Sequence, residues 1–189
     1  MKKILSKIVL FIVVTLLVFV LCIALVGCQP NGIVNYQQYS NKYNAVMYST
    51  SKDWILTSFL EDNKVKGAYY KNPDYIESEN DSVDKYYYDE TSPEHRTFIV
   101  DNQDTYNTIF KENALRVDFN KEIVYLHIFA DIYPSRKYFI DNILLEEEQV
   151  NIYYKVEKNN KNDASAPGQR CLIVVMKKTN TSNVKFVKQ

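Results

Sequence analysis

The apolar stretch from Ile8 to Val26 ends in Leu25-Val26-Gly27-Cys28, and that ending divides the chain into a part to be removed and a part to fold. Lys2, Lys3 and Lys7 come first, so a charged region leads into a hydrophobic one, the pattern of an export signal. An aliphatic residue, two further positions ending in a small one, then cysteine, is a bacterial lipobox. The expectation is that the Cys28 thiol takes a diacylglycerol, residues 1–27 are cut away, and Cys28 becomes the mature N-terminus. The competing reading is an uncleaved anchor, since an apolar run of about 19 residues is long enough to span a bilayer. The Gly27-Cys28 pair favours processing, because a plain anchor has no use for it. On either reading the rest of the chain works outside the cell, tethered to the cell membrane.

Of 23 basic and 23 acidic residues, three lysines fall in 1–27, which leaves 20 against 23 and a formal charge of −3 on residues 28–189. That balance argues against nucleic acid as a partner and against electrostatic adhesion to an anionic membrane. Three cysteines reduce to one thiol. Cys22 leaves with the signal, Cys28 is acylated, and Cys171 has no intramolecular partner, so no disulfide framework is expected. Cys171 opens the run Cys171-Leu172-Ile173-Val174-Val175-Met176 and reads as a small buried apolar residue.

Residues 28–51 are polar and carry no acid, which predicts a tether, although Tyr36, Tyr39, Tyr43 and Tyr48 make it stickier than a plain linker. In 52–94, Ser51 is placed to cap a short helix in which Trp54 and Ile55 meet Ser58 and Phe59. Residues 71–96 read as irregular, interrupted by Tyr86-Tyr87-Tyr88. The pattern sharpens over 95–189. Thr97–Val100 is a strand, and Asp101 or Asn102 caps a helix with Tyr106, Ile109 and Phe110 on one face. Ile123–Ala130 is apolar on both faces, as a central strand would be. Residues 138–145, 150–156, 171–176 and 184–187 are further strands, with Glu146-Glu147-Glu148 at a turn. The fold expected is α+β: a mostly antiparallel sheet with one or two short helices.

Chemistry is sparse. Four glycines leave no phosphate-cradling loop, and no nucleophile–base spacing stands out. His127 falls inside the central strand and reads as a core histidine, while His95 follows Pro93-Glu94 in a loop. Glu146–Glu148 reads as a solvated turn rather than a cation site. Asp131 and Asp141 flank one loop, where an acid–base pair is conceivable but outweighed by ordinary surface placement. Neither cofactor nor metal is expected. The 16 tyrosines all follow Cys28. Tyrosine offers large contact area with a polar tip and suits interfaces.

Val117-Asp118-Phe119-Asn120-Lys121-Glu122 leads into the apolar strand 123–130. A loop ending in Tyr138 follows, then a hairpin, then Ala166-Pro167-Gly168 and an apolar strand closing with Lys177-Lys178. This order resembles the C-terminal domain of the PrcB family, accessory subunits of surface protease complexes, over roughly residues 95–189. Where that family has Gly-Gly before the loop tyrosine, this chain has Arg136-Lys137. The resemblance implies a binding or stabilising accessory protein, not a catalyst. The expectation is a lipid-anchored lipoprotein that binds another exported protein, with Tyr133, Arg136 and Tyr138 of the 133–138 loop as the contact. Tyrosine and arginine are enriched at binding hot spots, and a buried strand would hold the loop rigid. The alternatives are an envelope glycan- or solute-binding lipoprotein and a carboxylate-based envelope hydrolase.

Overall fold

Strands Glu122–Asp131 and Gly168–Lys177 are apolar on both faces because both faces are covered. A computed structural model describes residues 37–40, 42–50, 52–77, 83–133, 136–157 and 165–189. The export signal, Cys28 and Ser51 lie outside the described residues.

Ten strands are described: β1 Gln37–Ser40, β2 Ala45–Thr50, β3 Tyr69–Lys71, β4 Tyr86–Tyr88, β5 His95–Val100, β6 Glu122–Asp131, β7 Lys137–Glu146, β8 Gln149–Glu157, β9 Gly168–Lys177 and β10 Asn183–Lys188. Two helices join them, α1 Thr57–Asp62 and α2 Gln103–Ile109, with a 3-10 turn at Lys52–Trp54. The large sheet has the order β1-β2-β9-β6-β5, the smaller one β10-β8-β7, and β3 and β4 form a two-stranded ribbon. Every pairing is antiparallel except β10 with β8. The mostly antiparallel α+β expectation therefore agrees with the structure.

The period of two along a strand sorts the side chains into two cores. From β6 and β9, Ile123, Tyr125, Leu172, Val174 and Met176 face the small sheet, where Ile140, Ile143, Val150 and Ile152 meet them. Val124, Leu126, Ile128, Cys171 and Ile173 face the other way, against Trp54, Ile55, Leu60, Tyr106, Ile109 and Phe110. The large sheet is thus the middle of three layers. A one-residue slip of β6 would exchange its two apolar sets between the two cores.

The structure differs from the tether expected over 28–51. Gln37–Ser40 and Ala45–Thr50 form β1 and β2, and β2 pairs with β9 over Val46↔Val175 to Thr50↔Cys171. Ala45 and Met47 are fully buried on the face toward the small sheet. The segment reads as polar because β1 is an edge strand and β2 places only short apolar stretches inward. The stable core therefore begins well before residue 95, and Trp54 to Ala68 belong to it as well.

The helix expected from Ser51 is a 3-10 turn followed by α1, broken at Ile55, which bridges to Phe110. The second helix starts as expected: Asn102 accepts from the Thr105 N–H at 2.8 Å. Lys111 falls just beyond its end. Glu147, at φ 49, makes the turn between β7 and β8.

Candidate functional site

At one end of the sandwich, β6 stops at Asp131 and the chain turns back into β7. The Asp131 side chain is only 5% exposed, and its carboxylate is filled by donors. Oδ1 accepts from the Ile132 N–H at 2.7 Å, the Tyr133 N–H at 3.3 Å and Arg136 Nη1 at 2.7 Å. Oδ2 accepts from the Tyr138 hydroxyl. The Arg136 N–H donates to the Tyr133 carbonyl at 3.3 Å, and Arg170 Nη2 donates to the same carbonyl at 3.0 Å. The Arg136 guanidinium lies 3.9 Å from the Tyr133 ring centroid. A buried carboxylate thus holds an arginine stacked on a tyrosine at the protein surface.

Of the three residues expected to touch a partner, the structure brings Tyr133 and Arg136 together at this surface. Tyr138 is 1% exposed and cannot be a contact. Strand parity is the reason, since Tyr138 shares the inward face of β7 with Ile140 and packs against Phe129 and Tyr154. Burial, and then its bond to Asp131, pushes the Tyr138 hydroxyl far above the ordinary tyrosine range. Burial, and then the Asp131 charge, pushes Tyr154 up to about 12. Arg170, buried in β9, is a member of this cluster that no sequence motif marks.

The ribbon of β3 and β4 lies at the same end. Gly67, at φ +85, turns the chain into β3, and a Cβ there would lie 3.6 Å from Ala130 Cβ on β6. The Tyr69 N–H donates to the Pro167 carbonyl at 2.8 Å, and the Ser165 N–H to the Ile132 carbonyl at 2.8 Å. Tyr69 pairs with Tyr88, and Lys71 with Tyr86. On one face, Tyr69, Tyr86 and Tyr88 are 44%, 54% and 46% exposed. On the other, Tyr70 and Tyr87 turn inward, with Lys64 Nζ within 5.5 Å of both rings. The sequence hinted at this through Tyr86 and Tyr88, two residues apart. Only the pairing shows that Tyr69 joins them.

Asp89, just after β4, fixes the ribbon's return. Its carboxylate accepts from the Thr91 and Ser92 N–H groups at 2.8 and 2.9 Å and from Ser92 Oγ at 2.8 Å. Burial raises its pKa, but these bonds, led by Ser92, outweigh burial and hold it below the usual carboxylate value.

The histidines meet: the His95 and His127 ring centroids are 5.4 Å apart. His127 is 4% exposed and stacks on Phe186 with centroids 4.6 Å apart. Burial, together with the neighbouring His95, holds it down to about 3, and its Nδ1 has no hydrogen-bond partner. Cys171 sits on the opposite face of the large sheet, so the sheet separates thiol from imidazole. Burial pushes that thiol up to about 12.

The acid pairs weighed in the sequence are engaged separately. Asp141 pairs with Lys155 at 2.5 Å while Asp131 holds the turn. Glu146 accepts from Asn151 at 2.9 Å and Glu148 from Ser182 at 3.0 Å. Among the described residues no three metal-ligating side chains converge. At the far end of the large sheet, Asn44, Asp118, Asn120, Lys121, Glu122, Lys177 and Lys178 line an open depression of ≈ 680 Å³. Lys121 is paired to Asp118 at 3.1 Å, and Lys178 Nζ donates to the Asp101 and Phe119 carbonyls.

Comparison of the chain with protein-family models, with curated proteins and with solved structures finds no match.

Proposed function

We propose that this protein is a lipoprotein, held on the outer face of the cell membrane by a diacylglycerol on Cys28, that binds or stabilises another exported protein without catalysing a reaction. The observation that carries the binding half is Arg136 stacked on Tyr133 and tied to the buried Asp131 carboxylate. An arginine already ordered in the free protein loses little entropy when a partner docks on it. Its side chain remains 29% exposed and so is partly open to solvent. The anchoring half rests on Leu25-Val26-Gly27-Cys28 at the end of the apolar stretch. The order of elements over 95–189 supports an accessory role like that of the PrcB family, which the chain resembles.

Crosslinking on intact cells, followed by identification of the captured protein, tests the reading. Tyr133→Ala and Arg136→Lys are the informative variants. Arg136→Lys keeps a cation beside Asp131 and removes the planar fork. Each should lower capture about tenfold, equivalent to about 1.4 kcal/mol, with thermal stability little changed. Capture that is undiminished in both variants removes the turn from the site.

A further inference from the structure

We infer that the β3–β4 ribbon rests on the lipid surface to which the chain is anchored, with Tyr69, Tyr86 and Tyr88 in the headgroup zone of the bilayer. This inference builds on the lipoprotein reading. Eight large hydrophobic residues are exposed among those described: Leu144 and Leu145 lie near the far end of β7, and the other six gather at one end of the sandwich. Tyr69, Ile76, Val83, Tyr86 and Tyr88 belong to the ribbon and the arm beyond it, and Ile132 lies at the same end of the sandwich. A cluster of this kind marks a contact surface, whereas single exposed apolar residues do not. Tyrosine is a residue type that settles at the membrane–water boundary, ring toward the acyl chains and hydroxyl toward water.

The path of the chain selects lipid as the occupant. Across the large sheet Asp131 pairs with Gly168 at the ribbon's end, and Glu122 pairs with Lys177 at the opposite end. β1 runs from Gln37, opposite Tyr48, to Ser40, opposite Ala45, so the chain enters the sheet from the ribbon's side. Tyr48 is level with Ile173, five residues short of the β9 start at Gly168, or about 17 Å at the usual strand rise. Cys28 precedes Gln37 by nine residues, a reach of about 30 Å when extended. The acyl anchor can therefore lie beyond the end of the sheet that carries the tyrosines, with length to spare. With the chain in the sheet from Gln37 onward, the stretch between Cys28 and the folded domain is shorter than the tether expected over 28–51.

The test uses the full chain produced in a bacterial host, purified in detergent and reconstituted into phosphatidylglycerol vesicles. Tyr86→Trp places an indole on the ribbon, and Leu145→Trp places one at the opposite end, while buried Trp54 contributes equally to both. With brominated acyl chains in the vesicle, the Tyr86→Trp emission should fall by about half or more and shift to the blue, and the Leu145→Trp emission should not. Equal, weak quenching of the two overturns the inference. So does a Tyr86→Trp signal that responds to added cell-wall glycan or to a captured protein and not to lipid. The mass of the Cys28 peptide reports acylation independently. If Cys28 is unmodified, the uncut apolar segment still anchors the chain and the ribbon's emission still decides. Vesicles that retain no protein overturn both readings.

Discussion

Tyr138 donates its hydroxyl hydrogen to the Asp131 carboxylate, which ties the last residue of β6 to the second residue of β7 across a turn that both strands enter from the same end of the sandwich. The pair holds together a surface turn that contains no glycine. It also separates residues that build the turn from residues that present it.

Tyr138→Phe removes one donor from a nearly buried carboxylate and leaves its other donors in place. Hydrogen bonds to charged groups contribute about 1.5–3 kcal/mol. A loss of this order in urea unfolding is expected, with capture of the partner reduced only as far as the turn loosens. A Phe variant as stable as the parent would mean that the Arg136 and backbone donors suffice.

Acid should weaken the fold in a window set by His127. Its folded pKa of about 3 lies below the unfolded value near 6.5, so below pH 6.5 the unfolded chain takes up a proton that the folded one refuses. Stability from this residue is intact above pH 6.5 and declines as pH falls toward 3, by up to about 1.4 kcal/mol per unit. Asp89 is also shifted down, by its hydrogen bonds against burial, and adds to the loss only at lower pH, once its unfolded carboxyl begins to protonate. Urea midpoints measured between pH 7 and 4.5 should therefore fall in the parent and stay nearly flat in His127→Phe. A parent curve already flat in that range removes His127 from the account.

Cys171 should not react with thiol reagents in the folded protein. It is fully buried, and its thiol is held protonated at neutral pH. In the acylated mature chain no thiol should then titrate with a disulfide reagent until denaturant is added, when one should appear. Rapid labelling of Cys171 in native protein would show that β9 opens.

Cys28→Ser should abolish incorporation of labelled fatty acid and leave residues 1–27 attached. Position 28 precedes the first described strand, and the folded domain should unfold at the same temperature as the parent. Fatty acid retained in Cys28→Ser, or a mature protein that still carries residues 1–27 in the parent, sinks the lipoprotein reading.

Strong local patterns were legible in the sequence. The apolar runs of β6 and β9 announce strands covered on both faces, because short runs rich in β-branched and aromatic residues suit a strand better than a buried helix. The Asn102 cap announces the start of α2 through a local hydrogen bond. The 133–138 loop was legible as a turn, since Pro134 and polar residues separate two apolar strands. What the sequence alone could not decide is which partner each residue finds. β1 and β2 read as a polar tether because the pairing of β2 with β9, more than 120 residues away, is a long-range contact with no local signature. Tyr133 and Tyr138 look alike on paper. Strand parity and the Asp131 carboxylate bury one and leave the other at the surface. Tyr69 meets Tyr88, and His95 meets His127, only because the sheets bring distant segments into register. Local propensity is written residue by residue; the assignment of faces and neighbours is a property of the folded chain as a whole.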